Sequence, residues 1–471
     1  MTATKSEPTA GAEAAATLYR YRRARLVEPD WRRFAVWRRV SAEEWRDPQW
    51  QRAHCVKSVR QLRDVLGPEV GDVFYDDVKR DQERFATMPI LLPPHVINTM
   101  VPGSPPGSDA LYNDPVRRYM LPAASDRHPV WPSHPVASRD SLHEAEMWVT
   151  EGLIHRYPTK VLAEVVSTCP QYCGHCTRMD LVGSSTPTTS KYRFALRPAD
   201  RFDRIIGYLH ATPQVRDVVV SGGDTANLPW ARLEAFLMRL LDIDNIRDIR
   251  VASKAIVALP QHWLADEVRS GMARVAKVAF DRGVSLAVHT HANAAQQVTP
   301  LVEEASRAMM EAGVRDVRNQ GVLLRGVNDS AHALLDLCFA LLDGGGPTPY
   351  YFYLCDIIPN SEHWRRALAE AQTLQAAIMG YLPGFATPRL VCDVPYVGKR
   401  WVHQNIRYDR ETGTSYWTKN FPTVLDADDP QALGRTYTYH DPVYTLPDSG
   451  QKYWRRRAAP ADDAPTLERV R

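Results

Sequence analysis

From about Thr159 onward the chain alternates short apolar runs with amphipathic stretches. Apolar runs of about four to eight residues between turn residues are typical of buried strands, and apolar positions spaced by three or four are typical of helices. The runs are KVLAEVVS, RDVVVSGGD, IRDIRVAS, GVSLAVHTH, VRNQGVLL, PYYFYLCD and PRLVCDV. The stretches between them include LPWARLEAFLMRLL, LVEEASRAMMEAG and SAHALLDLCFALL. This alternation predicts an α/β fold of βαβ units around a parallel sheet.

Polar or cysteine residues directly follow several of these runs. A parallel barrel carries its chemistry at the carboxyl ends of its strands, and no GxGxxG motif follows the first run, so a barrel is favoured over a doubly wound sheet. We assign residues 151–400 to the barrel, 29–150 to an N-terminal helical region and 401–455 to a β-rich C-terminal cap. Residues 1–28 and 456–471 are expected to be disordered tails.

The charge of the chain is nearly balanced, with 58 basic and 55 acidic side chains among 471 residues. Binding to nucleic acid or to a membrane surface through overall charge needs a one-sided basic field, so we expect neither partner. No stretch reaches the ~18 consecutive apolar residues of a transmembrane helix, and the N-terminus lacks the apolar core of a secretory signal. We therefore expect a cytoplasmic protein, in which clustered cysteines indicate metal binding or catalysis.

Three cysteines form a CxxxCxxC motif just after the first apolar run: Cys169, Cys173 and Cys176. Three thiolates on one short segment can bind three irons of a [4Fe–4S] cluster and leave the fourth iron open to another ligand. A structural zinc site wants four ligands, and His175, between two of the cysteines, is poorly placed to be the fourth. The alternatives are a zinc knot or three unrelated cysteines.

The cysteine motif resembles that of the radical S-adenosylmethionine (SAM) superfamily, and the wider pattern resembles the lysine 2,3-aminomutase family. The matching segments run from about Trp45 to Phe421 in the family's order. They are HRYPTKV, CxxxCxHCTR, TPQVRDVVVSGGD, NQGVLLRGVND, PYYFYLCD with EHW, and VCDVPYVGK. The resemblance implies an incomplete barrel of βα units preceded by a helical region.

The resemblance also implies that the three cysteines bind a [4Fe–4S] cluster whose open iron is chelated by SAM. The residues that it places beside SAM or the second cofactor, together with His175, are Ser221, Gly222, Gly223, Asp224, His291, Asn293 and Gln320. Independently of any family, the two glycines allow a ligand to approach the backbone closely. A lone SGGD is also a common turn, and a lone histidine or glutamine is often just a satisfied polar group.

Lys399 lies where the family has its Schiff-base lysine for pyridoxal 5′-phosphate (PLP). A lysine at a strand end beside a glycine can be desolvated, which leaves its amine neutral and nucleophilic, although most lysines are simply solvated. Arg156, Tyr157 and Lys160 match the HRYP segment and suit the cofactor phosphate, because a guanidinium donates two parallel hydrogen bonds. The family carries a longer glycine run before the lysine, whereas this chain has 395–398 as Pro-Tyr-Val-Gly.

Arg178 matches the family's ligand for the substrate α-carboxylate. Asp356 and Asp393 end two consecutive runs, so a barrel would bring them to one face, where two carboxylates need a cation between them. The expected substrate therefore carries a distal positive charge, and the resemblance to the family implies a basic amino acid, lysine first and arginine second.

Together these inferences predict a radical SAM, PLP-dependent isomerase that moves the α-amino group of a basic L-amino acid to C3. The expected partners are an electron donor such as flavodoxin or ferredoxin and further copies of the chain in a homo-oligomer. Three alternatives stay open: a PLP-independent radical SAM reaction on a basic amino acid, a non-catalytic Fe–S sensor, and a metal-free barrel hydrolase.

Overall fold

The computed structural model describes residues 18–102 and 107–458, so most of the two predicted tails lies outside it. The described part of the first tail is held against the protein. The Tyr19 hydroxyl donates to Asp336 at 2.8 Å, and the Tyr21 hydroxyl donates to Asp343 at 2.9 Å. Residues 18–28, expected to be part of the disordered tail, therefore have partners in the protein.

An N-terminal set of short helices precedes the sheet. They are α1 (Ala42–Arg46), α2 (Pro48–Ala53), α3 (Val59–Leu66), α4 (Asp72–Arg84), α5 (Pro94–Asn98), α6 (Ser108–Asn113) and α7 (Pro115–Met120). Local capping explains where several begin: Ser41 and Glu44 form a capping box on α1, and the Asp47 side chain accepts from the first turn of α2. These helices bury an apolar cluster of their own. The cluster also includes Leu324, Cys355 and Trp364, which come from later parts of the chain.

A ten-stranded sheet forms the centre of the molecule. Its strands are β1 (Trp148–Thr150), β2 (Leu153–Tyr157), β3 (Lys160–Val166), β4 (Asp217–Gly222), β5 (Asp248–Ala252), β6 (Ser285–Thr290), β7 (Asp316–Leu323), β8 (Thr348–Leu354), β9 (Arg389–Val394) and β10 (Gly398–Trp401). Each of the seven apolar runs forms one of the strands β3 to β9, which pair in parallel, while β1, β2 and β10 pair antiparallel at the two edges. The predicted α/β fold with a mostly parallel sheet is confirmed.

The strands follow one another in chain order from β1 to β10, without the reversal of a doubly wound sheet. The helices between them are α8 (Pro198–His210), α9 (Trp230–Leu241), α10 (Ala255–Ala258), α11 (Pro260–Leu264), α12 (Asp266–Asp281), α13 (Pro300–Glu311), α14 (Ala331–Asp343) and α15 (Leu368–Ile378). They pack their apolar faces on the sheet in the largest hydrophobic core. The amphipathic stretches predicted as helices form α9, α13 and α14.

The two edges of the sheet meet through side chains. The Tyr157 hydroxyl of β2 accepts a hydrogen bond from the backbone N–H of Lys399 in β10 at 3.1 Å. These strands are eight places apart, which in a flat sheet would separate them by about 38 Å at ~4.8 Å per strand. The sheet therefore curves until its ends touch.

After β10 the polar, aromatic segment forms a separate antiparallel sheet and a last helix. These elements are β11 (Arg407–Asp409), β12 (Thr414–Trp417), β13 (Tyr437–His440) and α16 (Asp448–Arg457). In the part of the chain that the structure describes, no helix combines the length and the apolar character needed to cross a bilayer.

The carboxyl ends of β3 and β4 approach so closely that two glycines are required. A Cβ on Gly222 would lie 2.3 Å from the carbonyl oxygen of Val166, and one on Gly223 would lie 2.3 Å from that of Thr168. The Asp224 N–H donates to the Thr168 carbonyl at 3.0 Å. The glycines thus let this strand end dock on the segment that leads into the cysteines.

Gly223→Ala should destabilise the protein by about 1–3 kcal/mol, because the added methyl group meets rigid backbone. Gly207→Ala is the matched control, since a Cβ there meets nothing within 4 Å and Gly207 lies inside α8. The control should instead gain about 0.5–1 kcal/mol, the usual effect of replacing a helical glycine. Urea unfolding of both variants measures the difference, and equal free energies of unfolding would contradict the close packing.

Candidate active site

Most candidate residues predicted from the sequence lie at or just beyond the carboxyl ends of the parallel strands, whereas Arg156, Tyr157, Lys160 and Lys399 approach from β2, the start of β3 and β10. All of the candidate residues except Gly222 and Asn293 line one cavity of about 420 Å³. Those that line it are Arg156, Tyr157, Lys160, Cys169, Cys173, His175, Cys176, Arg178, Ser221, Gly223, Asp224, His291, Gln320, Asp356, Asp393 and Lys399. Residues separated by more than 200 positions in the chain thus line one cavity.

The cysteine segment leaves β3 and is held by the N-terminal helical region. The Gly174 N–H donates to the Tyr119 carbonyl at 2.9 Å, and the Tyr172 N–H donates to the Leu91 carbonyl at 3.1 Å. All three cysteines are free thiols that are partly exposed to the cavity. Burial, assisted by the neighbouring Cys173, raises the pKa of the Cys176 thiol to about 11.

The described residues contain no group of three or more His, Cys, Asp or Glu side chains gathered tightly enough to hold a single metal ion. Three thiols that bind separate irons of a cluster do not need to converge on one point. The described residues therefore do not provide the geometry of a mononuclear zinc site.

Asp224 follows β4 and fastens neighbouring strand ends together. Its carboxylate accepts from the Ser253 hydroxyl at 2.6 Å and from the Gln171 amide at 3.2 Å, besides two backbone N–H groups. Gln171 lies between two of the cysteines, and Ser253 follows β5. Asp224 therefore positions the cysteine segment against the adjacent strands.

The predicted histidines lie side by side behind the cysteines. The His175 and His291 rings stack with centroids 5.4 Å apart, and burial lowers the pKa of His175 to about 3, with Lys254 contributing. Asn293 does not line the cavity: its amide lies 3.0 Å from the His291 ring and accepts from the Val322 N–H at 2.9 Å. Asn293 thus supports the His291 ring from behind.

Gln320 connects a histidine to a tyrosine across the cavity. Its side-chain oxygen lies 2.7 Å from Nδ1 of His289, and its amide nitrogen donates to the Tyr353 hydroxyl at 2.7 Å. The Tyr353 ring is in turn 5.5 Å from the Lys399 ammonium. The chain of contacts therefore runs from β6 to Lys399 on β10.

Lys399 is positioned by its strand pairing and by aromatic neighbours. It stands directly opposite Asp393 in the β9–β10 pair, and Gly398 before it has φ of +96°, with no room for a Cβ beside the Tyr157 ring. Burial alone would lower the pKa of Lys399, but Tyr353, Tyr157 and Asp393 outweigh burial and raise it. The structure therefore favours a protonated amine, whereas the sequence suggested a neutral one.

Asp393 has a second cation beside it. Arg156 Nη1 lies 2.9 Å from Asp393 Oδ1, and Arg156 Nη2 donates to the Val394 carbonyl at 3.0 Å. Asp356, on the neighbouring strand end, has a buried Oδ1 without a hydrogen-bond partner. Burial and the nearby Asp393 raise the pKa of Asp356 well above its usual range. The two aspartates thus converge as predicted, but only Asp393 has a guanidinium at ion-pair distance.

Arg178 is held between two carboxylates that the sequence analysis missed. Its Nε lies 3.1 Å from Glu144 Oε2 and 3.3 Å from Glu164 Oε1. Burial raises the pKa of Glu164 to about 7, and Glu144 adds to this rise while Arg178 opposes it. Arg178 therefore faces the cavity with much of its charge already compensated.

Some of the missed residues left a signal in the sequence. Glu164 is the one acidic residue inside the apolar run KVLAEVVS, and Lys254 comes just after β5, at the same strand end as the predicted residues. Lys254 lines the cavity and donates to the His291 carbonyl at 3.0 Å. Glu144 lies in an irregular segment before β1, where no periodicity marks it.

Comparison with known proteins gives a consistent group of relatives. L-lysine 2,3-aminomutase of Fusobacterium nucleatum is 31% identical over 358 residues, which are 76% of this chain and 76% of the relative. L-lysine 2,3-aminomutase of Clostridium subterminale is 29% identical over 368 residues, 77% of this chain and 79% of the relative. Glutamate 2,3-aminomutase of Clostridioides difficile is 26% identical over 246 residues, about half of each chain.

No family model matches the chain. The similarity to the Fusobacterium enzyme nevertheless extends over three quarters of both proteins. On this evidence the chain belongs to the lysine 2,3-aminomutase family and is an isomerase.

Proposed function

We propose that this protein is a radical SAM, PLP-dependent 2,3-aminomutase that acts on a basic L-amino acid, with lysine favoured. The observation that carries the proposal is the cavity in which Arg178, Lys399 and the aspartates 356 and 393 meet beside three free cysteines. An α-carboxylate, an amine and a distal cation each find a complementary group there. The strand order and the contact between β2 and β10 support an incomplete barrel, with residues 29–150 and 401–455 flanking it.

The residues fit the proposed cofactors by their chemistry. Three partly exposed thiols suit three irons of a [4Fe–4S] cluster, with an open iron for SAM. Lys399, Tyr157 and Lys160 form a basic and aromatic group that suits PLP, since the Lys160 ammonium lies 4.3 Å from the Tyr157 ring centre. When bound, the cluster and SAM would supply hydrogen abstraction, and PLP would carry the amino group while it moves from C2 to C3.

The chain itself would orient the substrate by charge. Arg178 would bind the α-carboxylate through its guanidinium, which exchanges part of its contact with Glu144 for the substrate. Asp356 would receive the distal ammonium, because its buried oxygen has no other partner. A cation beside Asp356 favours the ionised carboxylate, so binding would release a proton from Asp356 when it starts protonated.

Lys399 must lose a proton before its amine can bond to the carbonyl carbon of a cofactor. Asp393 stands opposite Lys399 in the strand pair, and the Tyr353 phenol lies on its other side. These two groups would hold the ammonium in place, and its proton would pass from Nζ to the Asp393 carboxylate or to solvent. Burial of the cavity would exclude water from the reacting atoms.

Arginine is the second candidate substrate. Glu144 lines the same cavity as Asp356 and Asp393, so a longer cationic side chain would find more than one carboxylate there. A guanidinium spreads its charge over several donors and can serve more than one carboxylate. Anaerobic incubation with SAM, PLP, a reductant and each of lysine, arginine, ornithine and glutamate, with products identified by NMR, decides between them. We further propose a flavodoxin or ferredoxin as reductant and a homo-oligomeric assembly.

Replacing Cys169, Cys173 or Cys176 by Ala should abolish reductive cleavage of SAM, because each thiolate would bind one iron. The readouts are iron content, the EPR signal of the reduced protein and 5′-deoxyadenosine formation. Cys338→Ala is the matched control, since Cys338 is buried in α14 among apolar residues and should leave all three unchanged. Retained 5′-deoxyadenosine formation in any of the three variants would refute the assignment.

Borohydride reduction of the protein with PLP should fix the cofactor covalently on Lys399, the amine that aromatic and acidic groups enclose. Peptide mapping by mass spectrometry identifies the labelled lysine. Lys160 and Lys254 are internal controls, because both line the same cavity and should stay unlabelled. Labelling at either of them would refute the role of Lys399, and labelling at none of the three would favour the PLP-independent reaction.

Asp356→Asn should lower kcat/KM for lysine by roughly a hundredfold to several thousandfold, as expected when about 3–5 kcal/mol of a buried charge pair is lost. Asp393→Asn should lower kcat/KM for lysine by a smaller factor, because Arg156 already neutralises the charge of Asp393. Arg178→Ala should weaken every amino acid substrate, since all share the α-carboxylate.

The measurement is kcat/KM for lysine, arginine and glutamate in the wild type and in the three variants. A wild-type preference for glutamate would contradict the basic-substrate proposal. Equal losses across the three substrates in Asp356→Asn would show that Asp356 does not read the side-chain charge.

A further inference from the structure

A half-buried lysine, Lys191, lies beside the cysteine segment but does not line the catalytic cavity. It ends the irregular segment that follows Cys176 and precedes α8. Its ammonium donates to the Thr87 carbonyl at 2.6 Å and to the Met179 carbonyl, and it lies 3.4 Å from the sulfur of Met88. Lys191 therefore fastens the segment after the cysteines to the N-terminal helical region.

The contacts of Lys191 place its charge next to the cysteines. Met88 and Met179 belong to a small buried apolar cluster with Val182 and Ile358. Cys169, Tyr172 and Cys176 pack against this same cluster. Apolar surroundings screen a charge poorly, so the ammonium acts on the cysteines more strongly than it would through water.

The hydrogen-bond acceptors of the Lys191 ammonium are all neutral. They are two backbone carbonyl groups and a thioether, and the nearby Asp180 forms an ion pair with Arg139 at 3.3 Å. Burial lowers the pKa of Lys191 to about 8, and Cys176 and Asp180 oppose this fall. A partly buried cation with neutral partners costs free energy unless a negative charge nearby compensates it.

The other cations near the cysteines have different surroundings. Burial raises the pKa of Cys176, and Lys191 and Arg178 oppose this rise. Arg178 is held by two carboxylates, and Lys254 lies on the cavity side, where it donates to the His291 carbonyl. Lys191 thus combines neutral partners with a position away from any ligand in the cavity.

We propose that Lys191 is a positioning residue of the iron–sulfur site and that its ammonium is the counter-charge that stabilises the reduced cluster. This inference rests on the proposed [4Fe–4S] cluster, but not on PLP or on the identity of the substrate. One electron from the reductant adds one negative charge to the cluster and its three thiolates, while Lys191 keeps its proton. A fixed cation nearby favours the more negative state and so raises the reduction potential.

The test is a redox titration of the full chain with its cluster, without SAM, with dithionite as reductant and the EPR signal of the reduced cluster as readout. Lys191→Met and Lys191→Gln both remove the charge, and the glutamine keeps a hydrogen-bond donor. Both should lower the ratio of reduced to oxidised cluster at a given potential about tenfold, which equals ~59 mV for a one-electron couple. Lys191→Arg keeps the charge and should stay within about twofold of the wild type.

Lys277→Gln is the matched control, because it removes the same charge from an exposed position on α12. It should leave the ratio unchanged. Unchanged ratios in both neutral variants, with iron content and melting temperature near those of the wild type, would overturn the inference. An equal shift in Lys191→Arg would do the same, since the hydrogen bonds rather than the charge would then be responsible.

Two further results separate this inference from the proposed function. If both neutral variants fail to hold iron while Lys191→Arg holds it, the charge is needed for the cluster itself, which supports the role of Lys191. A wild type that binds no iron would refute the cluster and the inference with it. A wild type whose cluster responds to the substitutions as expected, but which makes no β-amino acid, would refute the aminomutase proposal and leave the role of Lys191 standing.

Discussion

The contact between the two edges of the curved sheet is the constraint on which the site depends. Tyr157 on β2 meets Lys399 on β10, and Arg156 on β2 meets Asp393 on β9. The strands β2 and β10 are eight places apart in the sheet, yet their side chains and those of β9 line the same cavity. The cavity therefore lies between strands that the curvature of the sheet brings together.

Closing the sheet also buries charge, and the distribution of that charge explains the arrangement of the site. Arg178 has two carboxylates and Arg156 has one, whereas Asp356 has no cation at ion-pair distance among the described residues. An unpaired buried carboxylate is costly, and a ligand that supplies a cation removes that cost. Arg178 would bind only a carboxylate that can compete with Glu144 for its guanidinium, so it would be selective for its ligand.

The strands and most lining residues were predictable because both follow from local pattern. Apolar runs gave β3 to β9, and polar residues just after them had to meet at one end of a parallel sheet. The protonated state of Lys399 and the partners of the two arginines depend on which distant strands touch. Glu144 lies in an irregular segment and meets Arg178 only in the folded chain. Residues 18–28 were expected to be disordered, yet the two tyrosines there bond to α14.

Strand ends and loops place different demands on their residues. The strand ends are fixed by the backbone hydrogen bonds between strands. Side chains at these ends can therefore keep their positions while the sequence around them changes. The segments before β1 and between β9 and β10 have no such ladder, and they carry Glu144, His143 and Tyr396. Tyr396 accepts an unfavourable φ in order to stack on His143. Several of the contacts that sequence pattern does not predict are therefore found in these two segments rather than in the strands.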